Sequence, residues 1–195
     1  MWTFLIRKNR YPILSIICLL MALSGIAQEK NDKNKVLPTG YSKSVSSGIN
    51  ISFGEFAQTH PFGVGTNFTW SKNRLGLMGK KPSKAFGFIA DGGIDYYFGN
   101  KETVSSNPYK YNNFTYIHTY AGIIYNLCKK GNINLVTGPA LGLEGGYTTF
   151  FWGANLAGAY YINEKIALAP AIQFMKDPDS YYPLLSISIK GSWTF

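Results

Sequence analysis

The dominant pattern along the chain is an alternation of large apolar residues with small or polar ones, beginning near residue 44. A period of two is typical of β-strands that have one apolar face. The clearest segment, 183–195, carries on one face Leu185, Ile187, Ile189, Trp193 and Phe195. Its other face is built from serines, Lys190 and Thr194. The alternation predicts eight strands, at 44–54, 62–71, 85–98, 114–127, 132–144, 149–162, 165–175 and 183–195.

The face opposite the apolar residues consists mostly of Gly, Ala, Ser, Thr and Asn. A sheet face in water normally carries more charge, whereas a narrow barrel interior needs small side chains. Lengths of about 11 to 14 residues suit tilted membrane crossings. These features predict an all-β fold, an eight-stranded antiparallel up-and-down transmembrane β-barrel with its apolar face toward lipid. Aromatic residues near the strand ends match the interfacial girdles of such barrels: Phe53, Trp70, Phe98, Phe150, Trp152, Tyr160, Tyr181, Tyr182 and Trp193.

Two prolines and one connection depart from this pattern. Pro139 and Pro170 lie inside predicted strands, where each removes a ladder donor, so we expect bulges or strand ends there. The connection 72–84 is long and basic, although this topology calls for a short turn at that point. Of the connections at the opposite end, 99–113 is long and polar, whereas 57–61 and 145–148 are short.

The N-terminus has the three regions of an export signal. A basic stretch ends at Arg10, an apolar run follows to Leu23, and small residues precede Ala27. We expect a signal peptide over 1–27, a polar N-terminal tether over 28–43 and the barrel over 44–195. Of the two cysteines, Cys18 leaves with the leader, so the mature chain has no intramolecular disulfide.

Composition and charge exclude several classes of protein. With 46% hydrophobic and 15% charged residues the chain is neither disordered nor a charged helical bundle. Its mean hydropathy of -0.05 argues against a polytopic helical membrane protein. Three of the nine surplus positive charges lie in the leader, and most of the others crowd into 72–84. No nucleic-acid-binding motif accompanies them, so no nucleic-acid partner is expected.

The chain resembles the small outer-membrane β-barrels of Gram-negative bacteria, of the OmpA-OmpX type. The resemblance rests on the leader, the eight amphipathic strands and the carboxyl-terminal alternation that ends in Trp193 and Phe195. The resemblance covers about residues 44–195, and its specific motif is the terminal phenylalanine. It implies an integral outer-membrane location with both termini in the periplasm. It also implies handling by periplasmic chaperones and by the outer-membrane insertion machinery, for which Trp193 and Phe195 are the C-terminal insertion signal.

Candidate chemistry is confined to the predicted lumen. Asp91 and Asp95 share one face of their strand, and we expect them to form a charge network with Glu144, Lys190 and His118. Buried carboxylates need such partners. A catalytic His118 would need a nucleophile beside it, and no nucleophile motif is present. No catalytic residue, cofactor or metal site is therefore predicted, and outer-membrane lipid is expected as a partner of such a barrel.

The most plausible recognition surface is the loop 99–113, because Tyr and Asn make adaptable contacts at low entropic cost. Its candidate residues are Asn107, Tyr109, Lys110 and Tyr111. We expect a structural, adhesive or surface-recognition role without catalysis. Two alternatives stay open from the sequence: a lipid-modifying barrel enzyme that uses His118, and a secreted soluble lipocalin-like barrel with an inward apolar face that binds an apolar ligand.

Overall fold

The part of the chain that the structure describes forms ten strands and one short helix. The computed structural model describes residues 41–73, 86–104, 107–128, 130–176 and 183–195. The elements are β1 (Tyr41–Phe53), α1 (Phe56–Thr59), β2 (Phe62–Asn73), β3 (Phe86–Phe98), β4 (Lys101–Val104), β5 (Asn107–Lys110), β6 (Phe114–Cys128), β7 (Gly131–Glu144), β8 (Tyr147–Tyr161), β9 (Ile166–Lys176) and β10 (Leu184–Thr194). In the described part of the chain, no helix is both long and apolar enough to cross a membrane.

Eight of these strands form one closed barrel in the order β1-β10-β9-β8-β7-β6-β3-β2, and β4 and β5 form a separate two-stranded hairpin. Every neighbouring pair in the barrel is antiparallel. Closure is made by β1 and β10, whose register runs from Ser44 opposite Thr194 to Phe53 opposite Leu185. Such closure leaves no unpaired sheet edge. The predicted eight-stranded antiparallel up-and-down barrel is confirmed.

Side chains alternate between the inside and the outside of the barrel along each strand. In β10, Ser186, Ser188 and Lys190 are buried, whereas Ile189 and Trp193 are about half exposed. The same division holds in β6, where Tyr116, His118 and Tyr120 point inward and Ile117 and Ile123 point outward. The large apolar side chains therefore form the exterior, as a lipid-facing barrel requires, and not a ligand-binding core.

The first strand begins at Tyr41, inside the segment assigned to the tether, and not at residue 44. Contacts with β2 extend it. The Tyr41 ring stacks on Trp70 with 5.5 Å between centroids, and Lys72 Nζ lies 4.8 Å from the same ring. Strand pairing thus continues as far as side chains on both strands support it. The basic connection predicted over 72–84 lies outside the described residues from position 74 onward.

The two prolines are not at bulges or strand ends, contrary to expectation. Pro139 lies in the middle of β7 opposite Trp152, and Pro170 lies in the middle of β9 opposite Ile189. In the ladder with its other neighbouring strand, each strand lacks a few residue pairs beside the proline and then resumes pairing in the same register. Because proline has no N–H to donate, a local gap in one ladder accommodates it. The gaps lie between the pairs His118–Ala140 and Ala121–Thr137, and between Ala157–Ala171 and Tyr160–Leu168.

Three connections at one end of the barrel are held by contacts among the described residues. This end, which we call the hairpin end, carries α1, the β4–β5 hairpin and the turn at Gly145 and Gly146. The opposite end, which carries Tyr41 and Phe195, is called the terminal end. Phe56 of α1 packs edge-on against Tyr97 and Phe114, at centroid distances of 5.2 and 5.4 Å. The helix therefore covers part of the mouth of the barrel, and the described residues of 99–113 include the two paired strands β4 and β5.

A charge on the exterior should destabilise this barrel strongly. Leu156 is 48% exposed and pairs with Leu135 and Ile172 in the middle of the outer surface. Leu156→Arg should lower the free energy of unfolding in phospholipid vesicles by about 2–4 kcal/mol, the cost of Arg near a bilayer midplane. Gln58→Arg at the hairpin end is the control and should change it by less than about 0.5 kcal/mol. Equal effects in a urea titration would contradict a lipid-facing exterior.

Candidate functional site

The centre of the lumen is organised around the carboxylate of Asp95, which is fully buried. Lys190 Nζ donates a hydrogen bond to Asp95 Oδ1 at 2.9 Å. Two amides complete the shell: Asn50 Nδ2 donates to Oδ1 at 2.8 Å, and Gln173 Nε2 donates to Oδ2 at 3.2 Å. One cation and two amide donors thus satisfy a charge that would otherwise be costly to bury.

A second carboxylate, Asp91, lies two inward positions nearer the terminal end on the same strand. It accepts hydrogen bonds from Asn67 Nδ2 at 2.8 Å and from Thr69 Oγ1 at 2.9 Å. The imidazole of His118 lies between the two carboxylates, with Nε2 3.3 Å from Asp91 Oδ2 and Nδ1 3.7 Å from Asp95 Oδ2. Asn67 also accepts a hydrogen bond from Lys190 Nζ. Asp91, Asp95, His118 and Lys190 therefore form one connected cluster.

Strand register brings this cluster together. Asp91 and Asp95 are four residues apart on β3, so both point inward, and His118 lies opposite Gly93 between them. Glycine is required at two positions in the wall. A Cβ on Gly93 would lie 2.7 Å from His118 Cε1, and a Cβ on Gly65 would overlap Asp95 Oδ1. The absence of side chains at these positions makes room for the charged ones.

A layer of tyrosines lies in the lumen beside this cluster, with Tyr116 opposite Asp95 and Tyr120 opposite Asp91. Tyr97, Tyr116 and Tyr120 are almost completely buried. The Tyr97 hydroxyl lies 3.0 Å from Ser186 Oγ, and the hydroxyls of Tyr116 and Tyr120 hydrogen-bond to each other. The sequence interpretation missed Tyr97, although it lies on the same strand face as Asp91 and Asp95. Toward the terminal end, the cavity beside this layer and the charged cluster measures only about 90 Å³.

Glu144 does not join the lumen cluster that the sequence analysis assigned it to. It is the last residue of β7 and lies at the hairpin end, where Oε1 is 3.7 Å from His60 Nε2 and the side chain is 42% exposed. The alternation places Glu144 on the inner face, but its position along the strand is at the mouth. Glu144 therefore shares the inner face with the cluster residues but lies at a different depth along the barrel.

At this mouth lies an open cleft of about 450 Å³. Its floor is aromatic, from Phe56, Phe114 and Phe151, and its rim is polar. Phe114 and Phe151 pack edge-to-face at 5.9 Å because Gly142 has no side chain, and a Cβ there would lie 2.5 Å from Phe151. The rim residues used below are Asn112, Glu144, Tyr147 and Thr149. The volume falls within the range of small-molecule sites, about 300–1,000 Å³.

His60 ties the connections around the cleft together. Its buried ring donates from Nε2 to the carbonyl oxygen of Asn112 at 2.8 Å and hydrogen-bonds Thr59 Oγ1 through Nδ1 at 2.9 Å. Asn100 adds a backbone hydrogen bond from its N–H to the carbonyl oxygen of Thr59, at 2.7 Å. The segment around α1 and the base of the β4–β5 hairpin thus form one unit. Nothing in the alternation of the sequence indicates this role for His60.

A tight turn supplies the opposite wall. Gly145 and Gly146 have φ values of 57° and 88°, and they join Glu144 to its partner Tyr147. Two residues with positive φ are typical of a type I′ hairpin, whose twist matches that of the strands. The amide of Asn112 lies close to the backbone at Gly145, where a Cβ would be 2.5 Å from Asn112 Nδ2. Tyr147 is 81% exposed at the rim.

The residues predicted for surface recognition lie on and beside the β4–β5 hairpin. Asn107 pairs with Val104 next to the hairpin turn, and Tyr109 and Lys110 are exposed on β5. Tyr111 follows β5 and lines the cleft, with its ring 5.0 Å from that of Tyr109. The hairpin and the cleft are therefore adjacent parts of one end.

Comparisons with known proteins agree with this architecture. No protein-family model matches the chain, and no curated protein matches it. Among solved structures it is similar to Ail, the attachment invasion locus protein of Yersinia pestis, crystallised with the heparin analogue sucrose octasulfate. The TM-score is 0.53 at 10% identity, over 80% of this chain and 100% of that one. Ail in a phospholipid bilayer nanodisc gives 0.51 at 12% identity, over 79% and 99%. Neisserial surface protein A gives 0.47 at 11%, over 80% and 96%.

The chain has the fold of the small outer-membrane β-barrels. At such low identities the likeness concerns the fold alone. The C-terminal motif of this barrel lies on its exterior at the terminal end. Trp193 and Phe195 are 52% and 65% exposed, and the Phe195 N–H donates to the carbonyl oxygen of Lys43 at 3.0 Å. Their role as an insertion signal stays a prediction.

Two further features limit the chemistry of the described residues. They contain no group of three His, Cys, Asp or Glu side chains able to hold a metal ion. The His118 ring nitrogens approach only Asp91, Asp95 and Asn67 in the contacts described, and none of these is a Ser, Thr or Cys nucleophile. Cys128 is a half-buried free thiol at the end of β6.

Removing the positive charge of Lys190 from the lumen should destabilise the barrel. Lys190→Met leaves Asp95 buried without its cation, so the free energy of unfolding in phospholipid vesicles should fall by about 3–5 kcal/mol. Combining it with Asp95→Asn removes both charges and should restore part of the loss. A urea titration followed by tryptophan fluorescence measures both. A double variant less stable than Lys190→Met would contradict the ion pair.

The turn offers a matched pair of substitutions for the cleft wall. Gly145→Ala and Gly146→Ala both put a side chain at positive φ, but only the first places a Cβ against the Asn112 amide, because open space surrounds Gly146. Gly145→Ala should therefore be the less stable and should shift the Asn112 side-chain amide resonances of the barrel in nanodiscs. Equal shifts of Asn112 in both variants would contradict the contact.

Proposed function

We propose that this protein is an integral, non-catalytic outer-membrane barrel whose hairpin end faces outward and recognises a surface. One observation carries the proposal. The lumen is filled by a hydrogen-bonded cluster and a tyrosine layer, whereas the hairpin end holds an open cleft beside an ordered hairpin. An interior closed in this way leaves the hairpin end as the place where the protein meets other molecules.

The apolar exterior supports the membrane location. Its exposed Leu, Ile, Val and aromatic side chains would be costly in water, and the closed strand ladder satisfies the backbone groups, as hydrocarbon demands. In the proposed route, the leader is cleaved after Ala27 and periplasmic chaperones take over the chain. The insertion machinery then recognises Trp193 and Phe195. Both termini then lie in the periplasm, and the hairpin end lies outside.

Similarity to Ail adds a coarse argument for the role. Ail is named as an attachment invasion locus protein, and its barrel matches this one in fold. A small barrel that presents connections at one end suits attachment. The lipid-modifying alternative is not favoured, because the contacts of His118 among the described residues are with carboxylates, an amide and tyrosine rings. These contacts suit a structural histidine of the lumen.

Orientation and role are testable together with cysteines at opposite ends. Lys110 is exposed at the hairpin end and Glu164 is exposed at the terminal end. In a Cys128→Ser background, Lys110→Cys should react with membrane-impermeant PEG-maleimide on intact cells, and Glu164→Cys only on broken cells. The polymer at position 110 should reduce attachment of barrel-expressing cells to mucin-coated and matrix-coated surfaces to that of cells without the barrel, because it blocks the hairpin end.

The Glu164→Cys cells treated in the same way are the control and should attach as before. Labelling of Glu164→Cys on intact cells would contradict the orientation. Attachment that never exceeds that of cells without the barrel would contradict the recognition role. Outer-membrane fractions of the same cells should show a heat-dependent change of electrophoretic mobility, which a folded barrel gives.

A further inference from the structure

The cleft at the hairpin end combines two kinds of surface that few ligands match at once. Its floor is formed by the buried rings of Phe56, Phe114 and Phe151, and offers apolar contact only. Its rim offers an amide at Asn112 and a carboxylate at Glu144, together with hydroxyl groups. A ligand must therefore have an apolar face on one side and several polar groups around its edge.

Charge narrows the ligand class. No Lys or Arg is among the residues that line the described cleft, so phosphate, sulfate and carboxylate groups find no cation there. In the sequence of the four connections at this end, 54–61, 99–113, 144–147 and 176–183, three lysines stand against five carboxylates. The hairpin end thus lacks the positive field that a heparin-like polyanion requires.

The polar groups of the rim also argue against a simple cation. An ammonium group needs acceptors and aromatic faces. The Asn112 amide brings donors, the hydroxyls of Tyr147 and Thr149 donate as well as accept, and the Glu144 carboxylate already faces His60 at 3.7 Å. A mixture of donors and acceptors at a rim of little net charge matches neighbouring hydroxyl groups that both donate and accept.

We propose that the cleft binds one or two rings of an uncharged saccharide. This inference rests on the proposed function, in which the hairpin end faces outward. A pyranose ring has a face of C–H groups and an edge of hydroxyls, the two surfaces that the cleft presents. The freely exposed ring of Tyr147 stacks on the C–H face. Glu144 accepts hydrogen bonds from ligand hydroxyls, and the Asn112 amide donates to them.

The structure prepares this site before any ligand arrives. His60 and Asn100 hold the segments that carry Asn112, and the Gly145–Gly146 turn holds Glu144 and Tyr147. Groups that are already ordered lose less entropy on binding. A connection held by hydrogen bonds at both ends therefore suits recognition of a ligand that makes only a few contacts.

The test uses the full mature barrel in phospholipid nanodiscs, applied to an array of neutral, sialylated and sulfated oligosaccharides. Binding to at least one neutral oligosaccharide is expected, and it should change little between 50 and 500 mM NaCl because no charge pair forms. Tyr147→Ala should weaken it about tenfold, the loss of roughly 1.4 kcal/mol of stacking. Asn112→Ala and Glu144→Gln should each weaken it as well. Tyr41→Ala is the matched control, an exposed tyrosine at the terminal end and outside the cleft lining, and should bind like the unmodified barrel.

Several outcomes would overturn the inference. Binding confined to sulfated or sialylated oligosaccharides would do so, as would equal losses in Tyr147→Ala and Tyr41→Ala. Binding of choline that Glu144→Gln abolishes, without any neutral oligosaccharide, would assign the cleft to cations. Absence of glycan binding with surface attachment retained in the labelling experiment overturns the saccharide and leaves the recognition role standing. Absence of both overturns the proposed function as well.

Discussion

Pairing of β1 with β10 is the constraint on which the rest of this structure depends. In hydrocarbon an open sheet edge would leave a row of N–H and C=O groups without partners, so the sheet must close. Closure with only eight strands makes the interior narrow. An inward position must then either lack a side chain, as Gly65 and Gly93 do, or carry a side chain that fits its neighbours on other strands. The small-residue face of the sequence is a direct consequence of this geometry.

The narrow interior has a second consequence, which concerns charge. Asp91 and Asp95 are buried away from water, so their neighbours have to supply the donors that solvent would otherwise provide. Lys190, Asn50 and Gln173 come from three other strands and do so for Asp95. Such a cluster links distant strands across the lumen. Together with the tyrosine layer it fills much of the lumen, whereas the larger cleft lies at the hairpin end.

The connections at the hairpin end are stabilised by different contacts from those of the barrel wall. Its backbone is anchored by particular side chains, such as the His60 ring between Thr59 and Asn112, and by the positive φ of Gly145 and Gly146. These contacts join segments that are far apart in the sequence. The aromatic floor provided by Phe114 and Phe151 belongs to the barrel, whereas the polar rim belongs to the connections. The cleft lies where the two meet.

Sequence alternation by itself determined the eight strands, the outward direction of the apolar face and the inward direction of Asp91, Asp95, His118 and Lys190, because a strand's period of two assigns every residue to a face. It did not determine depth along the barrel. Glu144 shares the inner face but lies at the mouth of the barrel. Tyr97 is buried in the lumen, and only its place on the inner face of the strand indicates this in the sequence. Depth depends on the register between strands, and the cleft depends on contacts between connections. Both are properties of residues remote in sequence, so only the tertiary structure decided them.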